Sequence, residues 1–133
     1  MQIVLLIHSI LRWLIVLAGG IALIKFAIGW IRDGEFKGMD RGLTAGFNGL
    51  MDLQVTLGLI LLLWNGLVDG AGFPRHRLEH LGILLAAAIV GHLQVRWKNA
   101  PDRIRFRNSF FVILAVLALI AAGVAVLPGG WSR

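Results

Sequence analysis

No cysteine occurs in the 133 residues. That absence excludes disulfides, thiolate-held metals, iron–sulfur clusters and the covalent attachment of a c-type haem. Charge is scarce as well: 15% of the residues are Asp, Glu, Lys or Arg and 58% are hydrophobic, whereas an ordinary soluble domain is about 25% charged. A chain this short has too little interior to hide that much apolar surface from water, so a soluble globular domain is excluded and the expected solvent is lipid. There is no Gly-rich phosphate loop, no Ser-His-Asp set and no paired-carboxylate site, which leaves hydrolysis and nucleotide chemistry without support and no residue assigned to catalysis. The glycines between Gly42 and Gly49 open an apolar span with no strand before it, so they do not form a dinucleotide fingerprint. Internal repeats, linkers and low-complexity segments are also missing.

What is present is a set of long uncharged stretches separated by short ionic ones. A helical span needs roughly 20 apolar residues, so four spans fit and leave no room for a separate catalytic domain. The clearest covers about 108–127, free of Asp, Glu, Lys and Arg and ended by Pro128-Gly129-Gly130. The first runs over about 3–30, interrupted by Arg12, with Lys25 near enough to its end to snorkel. The second covers about 43–65 and contains Asn48, Asp52 and Gln54; the third covers about 75–97, with Pro74 suited to its first turn. The predicted fold is all-α: one domain over residues 1–133, an integral membrane four-helix bundle in up-down-up-down order. The first charge is Arg12, inside the apolar run, which is not the order of a secretory signal, so Met1 to Trp30 is expected to stay in the mature chain.

Lys and Arg near the ends of short loops assign the sides. Lys25, Arg32, Lys37 and Arg41 flank the first connection, and Arg96, Lys98, Arg103, Arg105 and Arg107 the third, nine of the thirteen Lys and Arg residues. The other side holds Arg75, Arg77 and Arg133, so both termini are expected to face outward and loops 31–42 and 98–107 to face the cytoplasm. Trp30 and Trp97 then fall at the inner interface, and Trp64 and Trp131 at the outer one, as an aromatic belt. The net charge of +6 follows the cytoplasmic loops, which points to anionic lipid as a partner and not to nucleic acid.

The informative residues are those that are costly to place in hydrocarbon: His8, Arg12, Asn48, Asp52, His80 and His92. At 100° per residue, His8, Arg12, Ile15 and Gly19 share one stripe of the first span, and His80, Leu84, Ala87 and Gly91 one stripe of the third, with the same eleven-residue step from His to Gly. If the two faces meet, His8 and His80 could supply two axial imidazoles to one haem iron, with the small residues below leaving room for the macrocycle. The plainer alternative is that the histidines hydrogen-bond carbonyls or headgroups and the small residues serve helix packing. Arg12 and Asp52 lie at similar depths and are expected to pair, either as a structural ion pair or with Arg12 near a haem propionate or quinone carbonyl. Asn48, one turn from Asp52, extends its stripe. His92 lies about 120° from His80 on the helix; it could bond to Asp52 or act as a sole ligand. His76, between Arg75 and Arg77, is expected to be solvated.

The segment His8-Ser9-Ile10-Leu11-Arg12-Trp13 resembles a family of small four-span bacterial membrane proteins labelled as cytochrome b or haem-binding. Leu53-Gln54 with Gly58-Leu59, Glu79-His80, and Leu127-Pro128 with Trp131 extend the resemblance over nearly the whole chain. It implies a b-type haem protein in the bacterial cytoplasmic (inner) membrane, an electron-transfer subunit in or beside a respiratory or photosynthetic complex, with His8 and His80 on the family histidines. One position departs from the pattern: Asp52 stands where a histidine is expected before Leu53-Gln54. That departure implies the rival reading, a haem-free accessory subunit within a larger membrane complex or homo-oligomer.

Overall fold

The computed structural model describes residues 2–132, with no side-chain detail at Ser132. Met1, and Arg133, which was counted among the outer cations, lie outside the described residues. The described chain forms four long helices and no strand: α1 (Gln2–Ile31), α2 (Gly38–Leu63), α3 (Arg75–Gly91) and α4 (Asp102–Ala125). A π-helical turn (Trp64–Val68) continues α2 and a 3-10 turn (His92–Trp97) continues α3; with these turns counted, all four are long and apolar enough to cross a membrane.

The helix ends have local causes. Asp33 takes a left-handed conformation at φ 54°, and the Gly34 N–H reaches back to the Gly29 carbonyl at 2.9 Å, closing α1 with a Schellman-type cap. Asp40, three residues into the start of α2, accepts the Lys37 N–H at 2.9 Å, the backward half of a capping box. Pro74 and Pro101 precede the first residues of α3 and α4 in extended conformation, where their missing N–H is no loss. α4 therefore begins at Asp102, six residues ahead of the charge-delimited boundary at 108, because the apolar run marks the lipid-facing part and the helix itself runs on into the ionic segment.

Contacts of α1 with α2 and with α4 pair in opposite chain order. Trp13 meets Trp131 and Phe26 meets Phe106 between α1 and the α4 end of the chain; His8 meets Gln54 and Lys25 meets Asp40 between α1 and α2. The core draws Ile15, Ala22 and Phe26 from α1, Phe47 and Met51 from α2, Leu84 and Ala87 from α3, and Val112, Ile113, Val116 and Ile120 from α4. Phe26, Phe36 and Phe106 form an aromatic cluster at one end, with ring centroids 5.1–6.2 Å apart. Outside the core, Ile3, Leu6, Leu17, Ile24 and Ile89 are all at least 60% exposed. Such an apolar exterior is the reverse of a water-facing surface and suits lipid.

Candidate functional site

α1 and α3 place His8 and His80 opposite each other, with ring centroids 6.4 Å apart and ring planes at 74°. Nδ1 of His80 lies 2.6 Å from the carbonyl oxygen of Gly123 on α4. A carbonyl can only accept, so a neutral His80 ring carries its proton on Nδ1 and its lone pair on Nε2. The side-chain amide of Gln54 donates to the His8 carbonyl at 2.7 Å and fixes the α1 backbone at that level. Gly58 keeps α2 close: a Cβ there would stand 3.3 Å from the His8 ring.

These residues border a cavity of about 180 Å³, walled by Leu81, Leu84, Val124 and Leu127 and reached by Arg12 and Arg77. Three of its buried polar atoms have no hydrogen-bond partner among the described residues: His8 Nδ1, Gln54 Oε1 and Arg77 Nη1. A polar atom left so in an apolar bundle costs free energy, and their convergence on one cavity marks it as a place for a polar or charged group.

Of the two roles open to the glycines below the histidines, the structure shows helix packing. A Cβ on Gly19 would meet Leu117 at 2.7 Å and Phe47 at 3.1 Å, and one on Gly91 would meet Asn48 Oδ1 at 2.5 Å. These positions are filled by neighbouring side chains, so they serve close helix packing and do not form the floor of a macrocycle site. The open space lies at the level of the histidines themselves.

The expected pair of Arg12 with Asp52 does not form. The Arg12 guanidinium sits 5.0 Å from the Trp13 ring centre and 5.7 Å from that of Trp131, in cation–π contact with both. Asp52 instead holds His92, whose Nε2 is 3.0 Å from each carboxylate oxygen. Helix geometry gives the reason: Gln54 is committed to α1, and Asp52 lies 200° round from it at 100° per residue. Asn48 confirms the direction of that stripe, donating to the Gly91 carbonyl on α3 at 3.1 Å. Of the two roles open to His92, the structure shows the bond to Asp52. His76 is half-buried in the first turn of α3.

Three polar residues escaped the sequence reading. Asp40 is buried, its side chain 1% exposed, with Lys25 Nζ at 2.8 Å. A lone lysine late in an apolar stretch and an acid in the first turn of the next helix were the available signal. Arg77 enters the sequence reading only as an outer-side cation, yet Nη1 is buried at the cavity; one helical turn separates it from His80, which is the available clue. Gln54 was noted as polar, but nothing in its spacing named the His8 carbonyl. No protein-family model, curated protein or solved structure matches this chain.

Proposed function

We propose that this chain is a membrane-embedded subunit of b-type-cytochrome character, transferring electrons in or beside a respiratory or photosynthetic complex of the bacterial cytoplasmic membrane. The observation that carries the reading is the facing pair His8 and His80, 6.4 Å between ring centres, with the His80 tautomer set by the Gly123 carbonyl. Metal-binding imidazoles characteristically donate their second ring nitrogen to a carbonyl in this way. The opposite order of the contacts of α1 with α2 and with α4 supports the up-down-up-down arrangement, and the loop charges support outward termini.

The side chains present are of the kinds that hold a haem b, and the cavity of about 180 Å³ has to widen to admit the macrocycle. Two imidazoles would hold the iron, the leucine and valine walls would surround the ring, and Arg12 and Arg77 would balance its carboxylates. When bound, the group supplies reversible one-electron exchange. The chain's own part is to orient His80 through Gly123, to hold His8 in place through Gln54, and to exclude water with apolar walls. A purified preparation should therefore show a reduced-minus-oxidised b-type spectrum of two-imidazole ligation.

A second reading, a cofactor-free accessory subunit, draws on the filled glycine positions at Gly19 and Gly91 and on Asp52 in place of the family histidine. The absence of Soret absorption from protein purified under haem-replete expression would favour it and sink the first. Topology is tested separately: single cysteines at Gly34 and Asn99 should resist an impermeant thiol reagent in intact cells, and ready labelling of both would reverse the orientation.

A further inference from the structure

At the opposite end of the bundle from His8, a second cavity of about 520 Å³ opens between α1 and the start of α2. Along α1, Ile21, Ile28 and Arg32 follow one another on one stripe, with Ile24 beside them; the isoleucines are 47–65% exposed and the arginine is exposed. An apolar stripe about 10 Å long at 1.5 Å per residue thus ends on a cation at the mouth of the cavity. The acid deepest in the cavity, Asp40, is already engaged, one oxygen on Lys25 Nζ and the other on the Lys37 N–H. Arg32, Lys37 and Glu35 line the same cavity, and their side chains make no ion pair among the described residues. Lys25 with Asp40 sums to zero, so the remaining three groups leave the cavity one positive charge in excess.

We infer that this cavity binds one anionic phospholipid, its phosphodiester held by Arg32 and Lys37 and one acyl chain lying on Ile21, Ile24 and Ile28. A phosphodiester carries a single negative charge, which matches the excess, and a basic pocket continuous with a lipid-facing apolar stripe recognises both halves of such a molecule. The inference is independent of whether the histidine cavity holds a cofactor.

The test is native mass spectrometry of the full chain extracted from bilayers of equal phosphatidylglycerol, phosphatidylethanolamine and phosphatidylcholine. The wild type should retain one phosphatidylglycerol. Each basic contact near a bilayer surface contributes about a fivefold preference, so Arg32→Gln with Lys37→Gln should lower retention roughly 25-fold. Arg96→Gln with Lys98→Gln removes the same charge from the same end of the bundle and should leave retention unchanged; an equal fall there would reduce the effect to bulk electrostatics and overturn the site. Retention of the zwitterionic lipids to the same degree, or no retained lipid at all in the wild type, would overturn it as well. Displacement of the lipid by millimolar glycerol phosphate would show that the ligand is a soluble phosphate and not a lipid. Circular dichroism of both double variants should match the wild type, since none of the four residues lies in the core.

Discussion

His92 Nε2 stands 3.0 Å from both carboxylate oxygens of Asp52, and the two side chains are about half exposed on the outside of the bundle. A carboxylate in that position looks toward lipid or toward a neighbouring protein, where an acid without a partner costs about 2.5–3.5 kcal/mol at the centre of a helix. The imidazole is the only group here that offsets this cost among the described residues. His92→Ala should therefore destabilise the bundle by about 1–3 kcal/mol, and Asp52→Ala should do less, because a neutral imidazole is cheaper to expose to lipid. Unfolding in mixed detergent of the two single variants and the double variant measures the coupling. Strictly additive losses would mean the pair has no energetic reality.

The Lys25–Asp40 contact differs in kind, since the carboxylate is buried. Lys25→Ala strands a charge inside the protein, a loss of about 3 kcal/mol or more. Adding Asp40→Asn should restore much of it, because the amide oxygen can still accept the Lys37 N–H at the start of α2. Equal melting temperatures for Lys25→Ala and the wild type would show that the lysine reaches water and contributes nothing.

Close approach of α1 and α4 depends on Gly29, where an added Cβ would stand 2.5 Å from the buried Phe106 ring. That ring is held against Phe26 and Phe36 and cannot swing aside. Gly29→Ala should cost about 1–3 kcal/mol by overpacking. Gly42→Ala, with nothing within 4 Å of the new methyl, should be neutral or gain up to about 1 kcal/mol from reduced chain entropy. A stability series that ranks these two variants the other way would refute the packing described for the aromatic end.

The fold was legible because lipid imposes a simple code: length, lack of charge and Pro74 before α3 are enough to mark four helices. The common level of His8 and His80 on helices one and three was legible too, while their meeting hung on the two faces turning toward each other, which the ring contact shows. Partner choice was not. Depth arithmetic placed Arg12 and Asp52 near one another, but depth is one coordinate, and the rotation of α2 about its axis was set by Gln54 reaching His8 and Asn48 reaching Gly91. Neither bond has a sequence signature, because each ends on a backbone carbonyl, which every residue has. The role of the glycines stayed open between macrocycle room and helix packing for a related reason: sequence shows where side-chain volume is missing, and only packing shows that Leu117, Phe47 and Asn48 fill it.

The two histidines of the cavity make unequal use of their surroundings, and that inequality gives the sharpest test of the proposed cofactor. His80 has its tautomer fixed by Gly123, while His8 has a buried Nδ1 without a hydrogen-bond partner among the described residues. If both ligate one iron, the wild type should be six-coordinate and low-spin. His8→Ala and His80→Ala should each abolish that spectrum, and His92→Ala should leave it intact because His92 is bonded to Asp52 and does not line the cavity. Arg77→Ala should keep the low-spin bands but loosen the cofactor, shown by faster loss of absorbance to a competing haem acceptor, since it removes a cation that balances the carboxylates and leaves the imidazoles in place. If His92→Ala alone removes the bands, a haem is present but sits against the Asp52 stripe of α2 and not between His8 and His80. If none of the three histidine variants alters the spectrum of a haem-loaded preparation, the pigment is not held by this chain's imidazoles, and the facing rings are an ordinary edge-to-face contact within the bundle.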